Sequence, residues 1–140
     1  MAANTDPIFS RAPVISWIGP ITTVNTTPDL STGPSYLLFT ADATNGGFVT
    51  KLRLHATSAG NTTGTVLRLF INNGSATSTA TNNSLYDEIT LPATTASAVA
   101  ATPNYEIPLN FALPPGYALY ATIGTASANG WYATVIGGKY

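Results

Sequence analysis

The chain has 140 residues, enough for one domain of ordinary size, and no cysteine, which excludes both a disulfide framework and a thiolate metal site. Only 8% of its residues are Asp, Glu, Lys or Arg and the net charge is -1, so long-range attraction to nucleic acid or to an acidic membrane surface is weak. No run reaches the ~18 consecutive apolar residues of a membrane helix.

Met1 to Pro7 carries neither the basic nor the apolar region of a signal peptide. The expectation is a protein that stays where it is made or leaves as part of an assembly. The hydrophobic share, 44%, is ordinary, so Thr, Ser, Asn and Ala supply much of the surface. Low charge near neutrality favours association. Two readings follow from composition: a surface covered by partners, or a neutral hydroxyl-rich surface that stands alone. Asn25, Asn61, Asn73 and Asn82 each open an Asn-x-Ser/Thr triplet. A chain rich in Asn and Thr holds such triplets by chance, and glycosylation is not expected of them.

Helix formers are scarce, while Thr, Val, Ile and Tyr are plentiful, and 12 Gly and 10 Pro punctuate the chain. Residues 1–13 read as an extended arm, with Ile8 and Phe9 as apolar anchors and Pro7 and Pro13 opposing regular structure. A first strand is predicted over 16–24, interrupted by Gly19-Pro20, which implies an edge or a bulge. Residues 26–34 form a loop and 36–41 a short apolar strand. Asn45-Gly46-Gly47 is a turn signal. The strand after it, 48–57, places Phe48, Leu52, Leu54 and Ala56 on one face and Lys51, Arg53 and His55 on the other. In 64–72, Leu67, Leu69 and Ile71 face one way and Val66, Arg68 and Phe70 the other, so both faces are candidates for cover.

A long polar segment from Asn72 to Ser84 reads as a mobile surface loop. Strands follow at 85–91 and 105–111, the second with Tyr105, Ile107, Leu109 and Phe111 inward. After the corner Leu113-Pro114-Pro115-Gly116 come strands at 117–123 and 131–136, and Gly137 to Tyr140 reads as a tail. About eight antiparallel strands and no repeat predict an all-β jelly-roll sandwich over residues 14–140, preceded by the arm.

Titratable chemistry is thin. His55 is the single histidine, beside Lys51 and Arg53 in a strand, and reads first as a half-exposed surface histidine. No Gly-x-Ser-x-Gly elbow, Walker or Gly-x-Gly-x-x-Gly motif occurs. The carboxylates are Asp6, Asp29, Asp42, Asp87, Glu88 and Glu106. Asp87 and Glu88 are strand neighbours and point apart, so they make no glycosidase pair, although Asp87 could pair with Arg53 or Arg68. No loop clusters acids for Ca²⁺. The expectation is no enzyme, no cofactor and no metal. Trp17, Trp131 and the tyrosines fit core or interface use better than sugar stacking.

The run Leu113-Pro114-Pro115-Gly116-Tyr117 through Ile123-Gly124-Thr125-Ala126, then Asn129-Gly130-Trp131 and the ending Gly137-Gly138-Lys139-Tyr140, carries a resemblance. It is similar to the last strand pair of small virion proteins of tailed bacteriophages. In length and order of elements the chain resembles jelly-roll capsid decoration (cement) proteins of the short-tailed Bordetella phage type. The specific motif covers about a fifth of the chain, and the rest matches in length, composition and strand rhythm. The resemblance implies a structural, non-enzymatic protein on the outer surface of an icosahedral head, made in the host cytoplasm. It also implies the major capsid protein and itself as partners, as a dimer or trimer. On this reading Ile8, Phe9, Arg11 and Val14 of the arm and its junction lie along a neighbouring subunit by strand addition. Trp17 joins the interface, and Lys51, Arg53 and His55 meet acidic groups on the shell. The alternatives are a receptor- or glycan-binding virion module, such as a head fibre or spike tip, and a free-standing trimeric jelly roll.

Overall fold

Side chains that alternate apolar and polar recur through the chain, and each such run becomes a strand because a sheet buries every second residue on one face. The computed structural model describes residues 11–140. Their strands are β1 (Ala12–Ile21), β2 (Tyr36–Thr40), β3 (Gly47–Ala56), β4 (Thr65–Asn72), β5 (Asn83–Leu91), β6 (Asn104–Leu113), β7 (Ala118–Ile123) and β8 (Trp131–Lys139). One 3-10 turn, Ala80–Asn82, is the sole helical element among the described residues.

The antiparallel pairs β1/β8, β2/β7, β3/β6 and β4/β5 are those of one long hairpin whose tip joins β4 to β5. The hairpin is rolled so that β8 also pairs with β3, and β7 with β4. Two four-stranded antiparallel sheets result, β1-β8-β3-β6 and β2-β7-β4-β5. This is the double-sheet jelly roll expected from the strand rhythm.

The core lies between the sheets. Leu52, Leu54, Ala133 and Val135 from one sheet meet Leu67, Leu69, Leu119 and Ala121 from the other, all fully buried. Trp131 is buried with them, and the Tyr105 ring stacks on it with centroids 5.8 Å apart. Where the edge strands β5 and β6 approach, Tyr86 packs on Phe111 at 5.0 Å, closing that side of the sandwich.

Irregularities depart from strict alternation, and they account for most differences from the sequence reading. Gly19-Pro20 forms the expected bulge in an edge strand, opposite Tyr132. Thr50 is an extra residue in β3, matched on β6 by Leu109 and Asn110, the latter at φ 50, a left-handed conformation that asparagine tolerates. The bulge shifts the period, so Val49 rather than Phe48 enters the core with Leu52 and Leu54.

Pro13, expected to oppose regular structure, lies within β1 opposite Gly138. An edge strand accepts proline where no ladder donor is required. Residues 137–139 are no tail but the end of β8. The Gly137 backbone packs so closely on Phe48 and Val49 that a side chain there would meet the Phe48 carbonyl.

The segment 72–84, expected as a mobile loop, is tied down by its own asparagines. Asn72 Nδ2 donates to Asn83 Oδ1 at 2.7 Å, and Asn82 Nδ2 donates to the Ala76 carbonyl at 2.9 Å. Asn83 Nδ2 donates to the carbonyls of Thr77 at 2.7 Å and Asp29 at 2.9 Å, which fastens the 26–34 loop as well. The acid that pairs with Arg68 is Glu88, at 2.8 Å, because Glu88 stands directly opposite Arg68 in the register.

Two outcomes are expected. Leu52→Ala removes a fully buried side chain and lowers unfolding free energy by about 2–5 kcal/mol in denaturant titrations. Val99→Ala, at a position 97% exposed, changes it by less than about 0.5 kcal/mol. The second concerns pH. Backbone N–H groups of Asn45 and Thr44 bond the Asp42 carboxylate, and with help from Lys139 they hold it below the usual 3.8. A lowered folded-state pKa means stabilisation that is present above the unfolded value and lost as pH falls through the folded one. The difference in melting temperature between the native chain and Asp42→Ala should hold steady above about pH 5 and shrink below about pH 4.

Candidate interaction face

The outward side chains of β1, β8, β3 and β6 stand in rows across the sheet. The register places Ile15 beside Ile136, then Lys51, then Pro108. The next row runs Trp17, Thr134, Arg53, Glu106, and the third sets Tyr132 beside His55 and Asn104. With strands ~4.8 Å apart, each full row spans roughly 14 Å. Trp17 is 71% exposed, Ile15 63% and Tyr132 41%, the largest apolar side chains left open on this sheet. Gly19 serves the face directly. The Tyr132 ring lies over it, and a side chain at Gly19 would come within 2.9 Å of that ring.

The face has two halves. Over β1 and β8 it is apolar and aromatic, and over β3 and β6 it is polar. Lys51 Nζ is 3.1 Å from Glu106 Oε2, an exposed pair of small energetic weight that nonetheless satisfies the lysine charge. Arg53 is exposed at the centre of its row and forms no salt bridge among the described residues. His55 is half-buried, with Nδ1 2.7 Å from the Ala56 carbonyl, which orients the ring along its own strand.

Trp17, Lys51, Arg53 and His55, singled out from sequence, therefore share one face. Arg11 is exposed immediately before β1. Val14 does not join them. It sits on the inward side of β1, packed against the core, and with Ser16 and Phe39 it lines a cleft of ≈ 240 Å³ between β1 and β2. Its inward position follows from β1 beginning at Ala12 and setting the alternation from there. Ile8 and Phe9 lie outside the described residues.

Ile15, Tyr132 and Ile136 were not singled out from sequence. Alternation in 131–136 does put Tyr132 and Ile136 opposite the buried Trp131, Ala133 and Val135. What sequence does not reveal is that β8 runs between β1 and β3, which joins three separate outward sets into one surface. Among the described residues no three His, Asp or Glu side chains gather to hold a metal ion. A hollow of ≈ 290 Å³ lies on the polar half of the face, over Lys51, Glu106 and Pro108, and the apolar half is broad and open. The arrangement defines a jelly-roll β-sandwich with one aromatic-and-basic outer face.

No protein-family model matches the chain, and no curated protein matches it. Two solved structures of infectious bursal disease virus, of the Gx and Gt strains, are remotely similar. Identities are 12% and 13%, 99% and 98% of this chain are covered, and the TM-score is 0.29 in both. The chain spans 36% of the length of those chains.

The two tryptophans report on the face in opposite ways. In a Trp131→Phe variant the remaining Trp17 fluorescence should be quenched readily by acrylamide and emit at long wavelength. In Trp17→Phe the remaining Trp131, 1% exposed, should be shielded and blue-shifted. Equal quenching of the two variants would contradict the placement of Trp17.

Proposed function

We propose that this chain is a non-enzymatic, structural virion protein. It binds the outer surface of an icosahedral phage head and cements neighbouring major capsid subunits, acting as a homo-oligomer, a dimer in preference to a trimer. The observation that carries the reading is the outer face of the β1-β8-β3-β6 sheet, where Trp17, Ile15 and Tyr132 lie open beside Lys51, Arg53 and His55. Exposed apolar patches rimmed by polar residues mark interaction sites, and Trp, Tyr and Arg are the residues most often found as anchors in them. The resemblance of the C-terminal strand pair to decoration proteins supports the same role. Many copies on a closed shell make individually weak contacts count together.

A second reading has one observation in its favour. Two exposed aromatics, Trp17 and Tyr132, would also serve a glycan- or receptor-binding virion module. Sedimentation with purified empty heads separates the two. Cementing requires saturable binding at a copy number set by the symmetry of the shell, in the hundreds per particle. No binding to heads, with retention on a glycan array, would replace it by the second reading.

A further inference from the structure

Charge on this chain is segregated, and the segregation says what the open face fits. The whole chain carries -1. On the outer face of the β1-β8-β3-β6 sheet, Lys51 and Arg53 against Glu106 leave +1 among the described residues. Within that face Lys51 already has its acid at 3.1 Å. Arg53 stands between Thr134 and Glu106 with no salt bridge among the described residues, one strand from β8 and two from the exposed indole of Trp17.

The other outer face is treated differently. There Arg68 is bonded by Glu88 at 2.8 Å, and its neighbours Phe70 and Thr122 are fully buried. Leu37 and Leu85 are open on that face too, but its basic centre is neutralised by its own acid, whereas Arg53 is left without one beside the more exposed Trp17 and Ile15.

We infer that the occupant of the open face is a partner protein surface that presents an apolar strip bordered by a carboxylate. Trp17, Ile15 and Tyr132 cover the strip, and Arg53 pairs with the acid. A planar guanidinium suits bidentate pairing with a carboxylate, which a lysine ammonium does not reproduce. Extent points the same way: the apolar strip of Ile15, Trp17 and Tyr132 lies apart from the hollow described on this face, ≈ 290 Å³ over Lys51, Glu106 and Pro108, so contact with the strip calls for a broad surface. The inference rests on the proposed role and adds the chemistry of the partner to it.

The test uses the full chain and purified empty phage heads as probe, with bound copies counted after sedimentation at two salt concentrations. Arg53→Glu should weaken binding at least about tenfold, and Arg53→Lys should restore only part of the loss. Trp17→Ala should weaken it about thirtyfold, the scale of an interface anchor. Val99→Ala, in an exposed connector, should bind as the native chain does. The melting temperature of Arg53→Lys should be unchanged, since that side chain is exposed, while Arg53→Glu, set opposite Glu106, should melt slightly lower but remain folded. Raised salt should weaken the native chain and partly relieve the deficit of Arg53→Glu, because it screens an attraction in the first and a repulsion in the second. Native-like binding by Arg53→Glu and Trp17→Ala would overturn the inference while leaving the head-binding role intact. Failure of the native chain to bind heads at all would overturn both.

Discussion

The burial of one side chain in two between the sheets is the constraint on which the rest of the molecule depends. With no cysteine, the fold is stabilised by what eight short strands put inside, and every strand thereby turns its other side chains outward. The two outer surfaces so created meet different fates. On the β2-β7-β4-β5 sheet, Phe70 and Thr122 are fully buried, and Leu30 of the 26–34 loop is buried as well without belonging to the inter-sheet core. That loop is fastened to β5 through Asn83. The chain covers much of that sheet with its own connections. On the β1-β8-β3-β6 sheet the strongly apolar side chains of β1 stay open. The difference is one of degree, since Leu37 and Leu85 remain open on the first sheet, but Trp17 and Ile15 of β1 are more exposed than either.

Bulges decide which residues reach that surface. If Thr50 took its turn in a regular alternation, Phe48 would share the core with Leu52. Accommodated as a bulge, it turns Val49 inward and Phe48 outward, on the face that Lys51, Arg53 and His55 share by plain alternation. The Gly19-Pro20 bulge has a comparable effect at the far side. It ends the regular pairing of β1 just past Trp17 and leaves room for the Tyr132 ring, so two aromatics occupy adjoining strands of one face.

Much of the fold was legible in the sequence because period-two alternation is a local signal, and turn residues mark where it stops. Strands over 48–57, 64–72 and 105–111 fall within a few residues of β3, β4 and β6. The failures have local causes too. Pro13 and the paired glycines 137–138 read as breakers, because their propensities hold for isolated chain, whereas an edge strand and a close backbone approach make use of them. The asparagines of 72–84 read as loop composition, and composition does not reveal which carbonyls they bond, the distant Asp29 carbonyl included. The candidate face was half legible. Alternation grouped Lys51, Arg53 and His55, but Trp17 could be placed beside them only by topology, since β1 and β3 are joined through β8 at the other end of the chain.

An open apolar strip at the rim of a sheet carries a hazard, because edge strands recruit other strands through their unpaired backbone groups. The low charge of the chain removes one common defence against such pairing. β1 carries another. Pro13 stands near one end and Gly19-Pro20 near the other, so the stretch able to extend a ladder is confined to a few residues between them. β6, the opposite edge of the same sheet, carries Pro108 and the Asn110 bulge. Both edges are thus blunted while Trp17 and Ile15 on the face between them are left accessible. Contact across the face, through side chains whose identity can discriminate among partners, is favoured over indiscriminate pairing along the edges. That division lets an aromatic anchor remain exposed on a chain with few charges.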